Sequence, residues 1–134
     1  MKQTAIYSGS FNPLHIGHLE ILRHLVRDFD RVLLVVSPRN PLKSEYPQSE
    51  LWLIIGGDQL SDFRRWKDYP RILLNHGICV FPRQGYDLPA LADDLQNENP
   101  NYRIRLMDMP LVNISSTQIR EALSRGEDLS GLLM

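Results

Sequence analysis

Short apolar runs of strand length, separated by helical patterns, constrain the fold of this chain more than any other feature. Four such runs occupy residues 4–8, 32–36, 51–55 and 78–81. Near-continuous apolar character is typical of strands buried on both faces of a parallel sheet. A weaker run at residues 102–106 alternates arginine with apolar residues, which predicts an edge strand. The sequence therefore predicts an α/β fold, a Rossmann-like domain with a mainly parallel sheet flanked by helices.

Three helices are predicted between and after these strands. The first is indicated by an apolar stripe at helical spacing, formed by Leu19, Leu22, Val26 and Phe29. The second is predicted over residues 88–97. The last is predicted to begin after Ser115, which with Gln118 has the form of a capping box, and to stop at Gly126.

Composition excludes several classes of function. The chain has 15 Lys plus Arg and 16 Asp plus Glu in 134 residues, a net charge of −1, which argues against nucleic acid polymers or an anionic membrane as partners. No apolar run approaches the ~20 residues of a membrane span, and the first strand follows Met1 too closely for a signal peptide. Cys79 alone cannot form an intramolecular disulfide or a cysteine-based zinc cluster. We therefore expect a cytoplasmic protein, and a homo-oligomer is compatible with these data.

The connection between the second and third predicted strands is too short for a parallel sheet. If the second and third runs are parallel neighbours, they need a crossover of a dozen or more residues, usually a helix. The interval between them carries Pro38, Pro41 and Pro47, which break any helix long enough to cross the sheet. The sequence therefore predicts one domain over residues 1–134 that lacks part of one crossover, with residues missing near 43–45 by omission or by deletion.

The densest chemical signal lies where the first strand ends and the first helix begins. Residues 8–18 read Ser-Gly-Ser-Phe-Asn-Pro-Leu-His-Ile-Gly-His. Gly9 lets the backbone pass close to a ligand, and Pro13 rigidifies the turn. His15 and His18, three residues apart at a helix start, project from the same face, and a helix N-terminus attracts anions. In this strand–turn–helix context the pattern predicts a triphosphate site.

Two other interpretations of these histidines are open. The HxxH spacing also suits two metal ligands, although no third candidate ligand occurs at a sequence spacing typical of a metal site. Histidines taken singly are more often capping or core residues, and we interpret His24 and His76 in that way. The glycines and the proline around His15 and His18 favour a functional site, and no metal site made by protein side chains is predicted.

Two signatures of a known superfamily occur in order along the chain. Residues 9–18 resemble the first signature of the nucleotidyltransferases built on the HxGH motif. Residues 114–120, Ile-Ser-Ser-Thr-Gln-Ile-Arg, resemble the second signature, ISSTxxR, at the start of a late helix. Within that superfamily, residues 55–60, Trp66 and residues 81–86 are most similar to the bacterial nicotinate-nucleotide adenylyltransferases. The resemblance covers essentially the whole chain.

This resemblance implies an enzyme of NAD biosynthesis. Nicotinate mononucleotide would attack the α-phosphate of ATP, giving nicotinate adenine dinucleotide and pyrophosphate. Transfer is direct, so the work of the protein is positioning and charge stabilisation. The implied partners are ATP and nicotinate mononucleotide, with Mg²⁺ arriving on the triphosphate and held mostly by phosphate and water. The sequence does not decide between the acid and the amide mononucleotide.

The matching positions give each candidate residue an implied role. The catalytic residues would be His15, His18 and Arg120. The ATP-binding residues would be Gly9, Ser10, Phe11, Lys43, Gly56, Asp58, Ser115, Ser116 and Thr117. The pyridine nucleotide would contact Ser10, Trp66 and Arg83. Without the resemblance, Trp66 is equally a surface-to-core anchor, Arg83 a turn residue and Lys43 an exposed lysine, and residues 115–117 are simply a good helix cap.

The chain also departs from the family pattern. Asn12 stands where an aspartate is commoner, which keeps the hydrogen bonds of the turn and removes a charge. Family members carry a helix, a strand and a further helix where this chain passes from Lys43 directly to Ser44. Two alternative functions follow: a pantetheine-phosphate adenylyltransferase, which shares both signatures, and a non-catalytic nucleotide-binding module, which the gap favours.

Overall fold

Five parallel strands form the centre of the fold. The computed structural model describes residues 2–9, 15–36, 49–111 and 116–127. Its strands are β1 (Lys2–Gly9), β2 (Arg31–Val36), β3 (Ser49–Gly56), β4 (Gly77–Phe81) and β5 (Ile104–Leu106). They make one sheet in the order β2-β1-β3-β4-β5, in which every pair is parallel. The predicted α/β architecture is confirmed. The edge strand predicted over residues 102–106 is β5, at one edge of the sheet.

Helices follow most of the strands. They are α1 (Ile16–Asp28), α2 (Gly57–Ser61), α3 (Tyr69–Asn75), α4 (Leu88–Glu98) and α5 (Ser116–Ser124), with a 3₁₀ turn at Phe63–Arg65. The three predicted helices are α1, α4 and α5. The sequence missed α2 and α3, which have 5 and 7 residues and are too short to show a helical period. Among the residues described, no helix is both long and apolar enough to cross a bilayer.

The two faces of the sheet bury separate apolar clusters. Ile54 and Cys79 face the cluster under α1, while their neighbours Ile55 and Val80 face the cluster under α2, α3 and α4. This alternation follows from the period of two along a strand. Burial raises the pKa of the Cys79 thiol to about 11, which agrees with a packing role for this cysteine.

The apolar stripe of α1 differs from the prediction. The buried residues are Ile21, Leu25 and Phe29, each four residues from the next, whereas Val26 is 67% exposed. The prediction was wrong for Val26 because the spacing of apolar residues allowed two adjacent stripes. Only packing against the sheet selects the stripe through Leu25.

The second and third predicted strands are not neighbours. β2 and β3 lie on opposite sides of β1, with Tyr7 paired to Leu34 on one side and to Ile54 on the other. The connection between β2 and β3 therefore has to cross β1, and its residues 37–48 lie outside the described part of the chain. The expectation that β2 is buried on both faces was wrong: none of the side chains of residues 31–35 is buried, and β2 is at the edge of the described sheet.

The end of α5 agrees with the predicted stop signal. Gly126 has a φ of +78°, its N–H donates to the Leu123 carbonyl at 3.0 Å, and the Glu127 N–H donates to the Ala122 carbonyl at 3.1 Å. These two bonds are the Schellman arrangement, which needs a left-handed residue just after the helix. Glycine adopts that conformation without steric cost.

The strand order fixes where a ligand can bind. The order of the strands reverses between β1 and β3, and open α/β sheets bind ligands outside the carboxyl ends of the strands at such a point. Gly9 ends β1 and Gly56 ends β3. The start of α1 lies beyond β1 in the chain, so the predicted histidines belong to this edge of the sheet.

Candidate functional site

Two histidines form the N-terminal cap of α1. His15 is the N-cap residue, with extended backbone angles, and its Nδ1 accepts a hydrogen bond from the Gly17 N–H at 3.0 Å. The Nδ1 atom of His18 accepts a hydrogen bond from the His15 N–H at 3.2 Å. This is a capping box in which imidazoles replace the usual serine and glutamate. The expected shared face of His15 and His18 is confirmed.

The capping bonds fix the tautomer of both rings. A ring nitrogen that accepts a hydrogen bond carries no proton, so in His15 and His18 the proton lies on Nε2. Each ring therefore presents an Nε2–H donor on the side away from its capping bond. Protonation of either ring would place a second N–H against a backbone N–H and break the cap.

The surroundings keep both rings neutral. The rings stack with centroids 3.8 Å apart and an interplanar angle of 27°, and His15 is 3% exposed. Burial lowers the pKa of His18 from 6.5 to about 4, with a further contribution from His15. Burial also lowers the pKa of His15, and the charge of Arg83 adds to this effect. Two neutral donors thus lie side by side at the start of a helix.

The cap changes which groups can hold an anion at this helix start. Of the amides there, those of His15 and Gly17 already donate to imidazole nitrogens. These two amides are therefore satisfied within the cap and are not available as donors to an anion. The positive end of the helix dipole still favours a negative ligand at this position.

Two aromatic residues to which the sequence analysis gave no role in the site lie close to the histidine pair, Tyr7 beside His18 and Phe81 beside Tyr7. Tyr7, in β1, has its ring centroid 6.4 Å from that of His18 and 6.1 Å from that of Phe81, at the end of β4. Tyr7 is buried, and burial raises the pKa of its hydroxyl. Side chains along a strand alternate between the two faces of the sheet, so Tyr7 lies on the same face of β1 as Ala5, the face covered by α1. This alternation is the sequence signal that could have placed Tyr7 beside the histidines.

Arg83 brings a positive charge to the histidines. It lies in the loop after β4, and its Nε is 3.9 Å from the Asp58 Oδ1. Its charge lowers the pKa of His15 and offsets part of the rise in the pKa of Tyr7. The sequence analysis assigned Asp58 to ATP and Arg83 to the pyridine nucleotide. The structure brings both residues to the same end of the sheet as the histidines.

Gly56 has a packing reason to be glycine. A Cβ at this position would lie 2.7 Å from the Asp58 Oδ1 and 2.9 Å from the Phe81 Cε2. Its N–H donates to the Gln59 Oε1 at 2.9 Å. Gly56 thus lets the turn from β3 to α2 pass closely beside Asp58 and Phe81.

The structure gives other contacts for the remaining predicted site residues that it describes. The Trp66 ring packs on Phe63, with centroids 4.7 Å apart, in the cluster on the sheet face opposite α1. Arg120 is exposed on α5, and its Nη2 donates to the Thr117 Oγ1 at 3.2 Å. Ser116 is the first residue of α5. The predictions for Ser10, Phe11, Lys43 and Ser115 lie outside the described residues.

Comparisons with known proteins agree with the two signatures. Residues 6–51 and 38–122 match the cytidylyltransferase-like family. The chain is 31% identical to "Probable nicotinate-nucleotide adenylyltransferase" of Flavobacterium psychrophilum, with 96% of this chain and 90% of that protein covered. It is 32% identical to the protein of the same name from Bacteroides fragilis, with 95% and 85% covered.

A solved structure shares the fold. The Plasmodium falciparum nicotinic acid mononucleotide adenylyltransferase complexed with APC superimposes with a TM-score of 0.69 and 16% identity, covering 98% of this chain and 88% of that one. The same enzyme complexed with NaAD gives a TM-score of 0.68 and 15% identity, with the same shares of the two chains covered.

The alignments also show a difference in length. The alignment with the Flavobacterium protein spans 179 positions and this chain has 134 residues, so at least 45 positions hold no residue of this chain. The family match comes in two pieces that overlap over residues 38–51, a range that lies between the end of β2 and the first residues of β3.

Proposed function

The chain belongs to the cytidylyltransferase-like family and, within it, to the nicotinate-nucleotide adenylyltransferases, and we propose that it transfers AMP from ATP to nicotinate mononucleotide in NAD biosynthesis. The observation that carries this proposal is the stacked pair His15 and His18 at the start of α1, in which the Nδ1 atom of each ring accepts a backbone N–H and the ring proton is therefore on Nε2. This pair lies beyond the end of β1, at the point where the strand order reverses. Both features suit the binding of phosphate groups at a helix N-terminus.

In the proposed reaction a phosphate oxygen of nicotinate mononucleotide attacks the α-phosphorus of ATP. A P–O bond forms, the bond from the α-phosphorus to the bridging oxygen of the β-phosphate breaks, and pyrophosphate leaves with the electron pair. The Nε2–H groups of His15 and His18 would donate to phosphate oxygens as their negative charge grows. Donors held in place before the reaction stabilise that charge without reorganisation.

The remaining site residues are proposed from the two signatures and from the wider resemblance of the chain to the nicotinate-nucleotide adenylyltransferases. The guanidinium group of Arg120 would donate charge-assisted hydrogen bonds to the phosphates. Ser115, Ser116 and Thr117 would be further donors at the start of α5. Gly9, Ser10, Phe11, Lys43, Gly56 and Asp58 would contact ATP. Ser10, Arg83 and Trp66 would contact the pyridine nucleotide. Trp66 is the weakest of these assignments, because its ring packs on Phe63 on the opposite face of the sheet from α1.

Mg²⁺ would enter with ATP. No group of three histidine, cysteine, aspartate or glutamate side chains within the described ranges is arranged to hold a metal ion. We propose that phosphate oxygens and water would supply most of the ligands of this ion, which would neutralise charge on the triphosphate. The cytoplasmic location also remains a proposal, supported by the use of ATP, and subcellular fractionation tests it.

We further propose that the chain lost part of a crossover between β2 and β3. The difference of at least 45 aligned positions and the break in the family match at residues 38–51 support this interpretation. The lost part would belong to the same domain, and its loss would affect the side of the site nearest β2.

Pyrophosphate release from ATP tests the function directly. The purified chain is assayed with nicotinate mononucleotide, with nicotinamide mononucleotide and with 4′-phosphopantetheine, and ATP binding is measured separately by calorimetry. We expect turnover with the first substrate that falls when His18 is replaced by asparagine. The matched control His24→Asn changes a histidine of the same helix, whose Nδ1 contacts the Glu20 carbonyl, and should leave turnover unchanged.

Each alternative predicts a different result. Turnover with 4′-phosphopantetheine alone would identify a pantetheine-phosphate adenylyltransferase. ATP binding without turnover on any of the three substrates would identify a nucleotide-binding module and would overturn the proposed activity.

A further inference from the structure

Four rings contact one another in succession between the end of β4 and the start of α1. The Phe81 ring meets the Tyr7 ring edge-on, with centroids 6.1 Å apart and an interplanar angle of 70°. The Tyr7 ring is 6.4 Å from the His18 ring at an angle of 56°, and His18 stacks on His15. These separations lie within or close to the range of aromatic pairs in contact. We call Phe81, Tyr7, His18 and His15 the aromatic row.

The sheet end of the aromatic row is held in place by its packing. Tyr7 lies in β1, between β2 and β3, and its backbone is paired with Leu34 on one side and with Ile54 on the other. Tyr7 is 5% exposed, so its ring cannot move unless its neighbours move. A Cβ at Gly56 would lie 2.9 Å from the Phe81 Cε2, which places the Phe81 ring directly against the backbone of β3. Tyr7 and Phe81 thus give the histidines a rigid surface.

The histidine pair needs such a surface to be oriented relative to the sheet. The capping bond and the stack are both made between His18 and His15, so they orient each ring relative to the other. Neither contact orients the pair relative to the carboxyl edge of the sheet, where the proposed reaction takes place. Ile21 and Leu25, which pack α1 on the sheet, lie about one and two turns after His18. In the first turn of α1, the Tyr7 ring contacts His18 from the sheet.

We propose that Tyr7 is a positioning residue for the adenylyl transfer: its ring, backed by Phe81, holds the His18 imidazole so that the Nε2–H group is directed toward the phosphates. This inference rests on the proposed function, because that function gives His18 its task. Tyr7 acts through His18 and through the shape of its ring, so phenylalanine should serve equally well at this position. A donor that is held in place before the reaction stabilises the developing charge best, and the aromatic row supplies that restraint.

The Tyr7 ring also limits the access of water to His18. Leucine at this position would be shorter and would leave space beside the imidazole, and burial is the main cause of the low pKa of His18. The charged groups near the pair are Arg83, which acts on the pKa values of His15 and Tyr7, and Asp58, 3.9 Å from Arg83. Loss of the Tyr7 ring should therefore raise the pKa of His18 toward 6.5.

Two substitutions of Tyr7 and one control test the proposal by steady-state kinetics with ATP and nicotinate mononucleotide. We expect Tyr7→Leu to lower kcat about tenfold to a hundredfold, as for a small displacement of a catalytic group, with KM unchanged. Tyr7→Phe keeps the ring and should keep most of the wild-type kcat. Phe29→Leu is the matched control, because Phe29 is a buried aromatic residue of the same cluster whose ring lies beside Trp52. It should leave kcat unchanged at equal folded fraction.

Titration of the histidine signals by NMR tests the placement of His18 independently of turnover. The pKa of His18 should rise from about 4 toward 6.5 in Tyr7→Leu and should keep its wild-type value in Tyr7→Phe and Phe29→Leu. The acid limb of the kcat profile should shift to higher pH in Tyr7→Leu, because protonation of the His18 Nδ1 breaks the capping bond. A chain without turnover on nicotinate mononucleotide would overturn the proposed function, whereas the titration would still decide whether Tyr7 controls the environment of His18.

Phe81→Leu is a second variant, at a half-buried position where the fold should tolerate leucine, and it should produce the same two changes at smaller size. The unfolding midpoint of each variant checks that the chain folds. An unchanged kcat or an unchanged pKa of His18 in Tyr7→Leu, or in Phe81→Leu if Tyr7→Leu does not fold, would overturn the proposal. So would equal effects of Tyr7→Leu and Phe29→Leu, or a Tyr7→Phe variant as impaired as Tyr7→Leu, which would assign the effect to the hydroxyl group.

Discussion

The Nδ1 atom of His18 accepts the backbone N–H of His15 at 3.2 Å, and the two rings stack 3.8 Å apart. One hydrogen bond therefore serves both the fold and the chemistry. It caps α1, and it holds the His18 proton on Nε2, where the proposed reaction uses it. Replacements at position 18 can separate these two roles.

Replacing His18 by alanine removes both the Nε2–H donor and one of the two capping bonds of α1. We expect kcat to fall by about 10²–10⁴, as for the loss of a preorganised donor to a developing oxyanion. The free energy of unfolding should fall by about 0.5–2 kcal/mol, as for other lost N-caps. His18→Asn should lose as much activity but less stability, because its side-chain oxygen can still accept the His15 N–H. Steady-state kinetics and urea unfolding measure the two effects, and near-normal turnover of His18→Ala would remove His18 from the mechanism.

The lowered pKa of His18 makes stability depend on pH. The pKa is about 4 in the folded protein and 6.5 in the unfolded chain, so between these values the unfolded chain binds more protons. The stability that His18 contributes is therefore complete above 6.5 and is lost as the pH falls toward about 4. Urea unfolding at several pH values should show a shallower loss for His18→Asn than for the wild type. Identical slopes would contradict the assigned environment of His18.

The positive charge of Arg83 should be visible in the titration of His15. Because this charge lowers the pKa of His15, Arg83→Gln should raise it. Titration of the imidazole signals by NMR measures the change. Arg64→Gln is the control, since Arg64 forms ion pairs with Asp94 and Glu98 of α4. An unchanged pKa in Arg83→Gln would mean that Arg83 does not act on the histidine pair.

Gly56→Ala should disturb the turn from β3 to α2. The added methyl group would lie 2.7 Å from the Asp58 Oδ1 and 2.9 Å from the Phe81 Cε2, so one of these side chains has to move. We expect a loss of about 1–3 kcal/mol in the free energy of unfolding, as for other overpacked sites, and a lower kcat/KM. Ser61→Ala, at an exposed position of the same helix, serves as the control. A variant as stable and as active as the wild type would show that the turn has more room than the structure indicates.

Local patterns predicted much of the fold and the main elements of the site. The strands, the helices α1, α4 and α5, and the stop at Gly126 follow from residues close together in the chain. The same applies to the histidine pair, because a spacing of three at a helix start places both rings on one face. The environment of the pair was not predictable in this way. Phe81 reaches Tyr7, whose ring lies beside His18, only because β1, β3 and β4 pair in that order.

The sequence by itself determined that this chain forms parallel strands, and that a strand–turn–helix segment carries two histidines suited to phosphate. These properties depend on hydrophobic periodicity and on the conformational preferences of glycine, proline and capping residues over a few positions. Only the tertiary structure decided that β1 lies between β2 and β3, that Arg83 acts on His15, and that β2 lies at the edge. Each of these depends on which strands pair, and strand order is decided by the burial of side chains that are far apart in the chain.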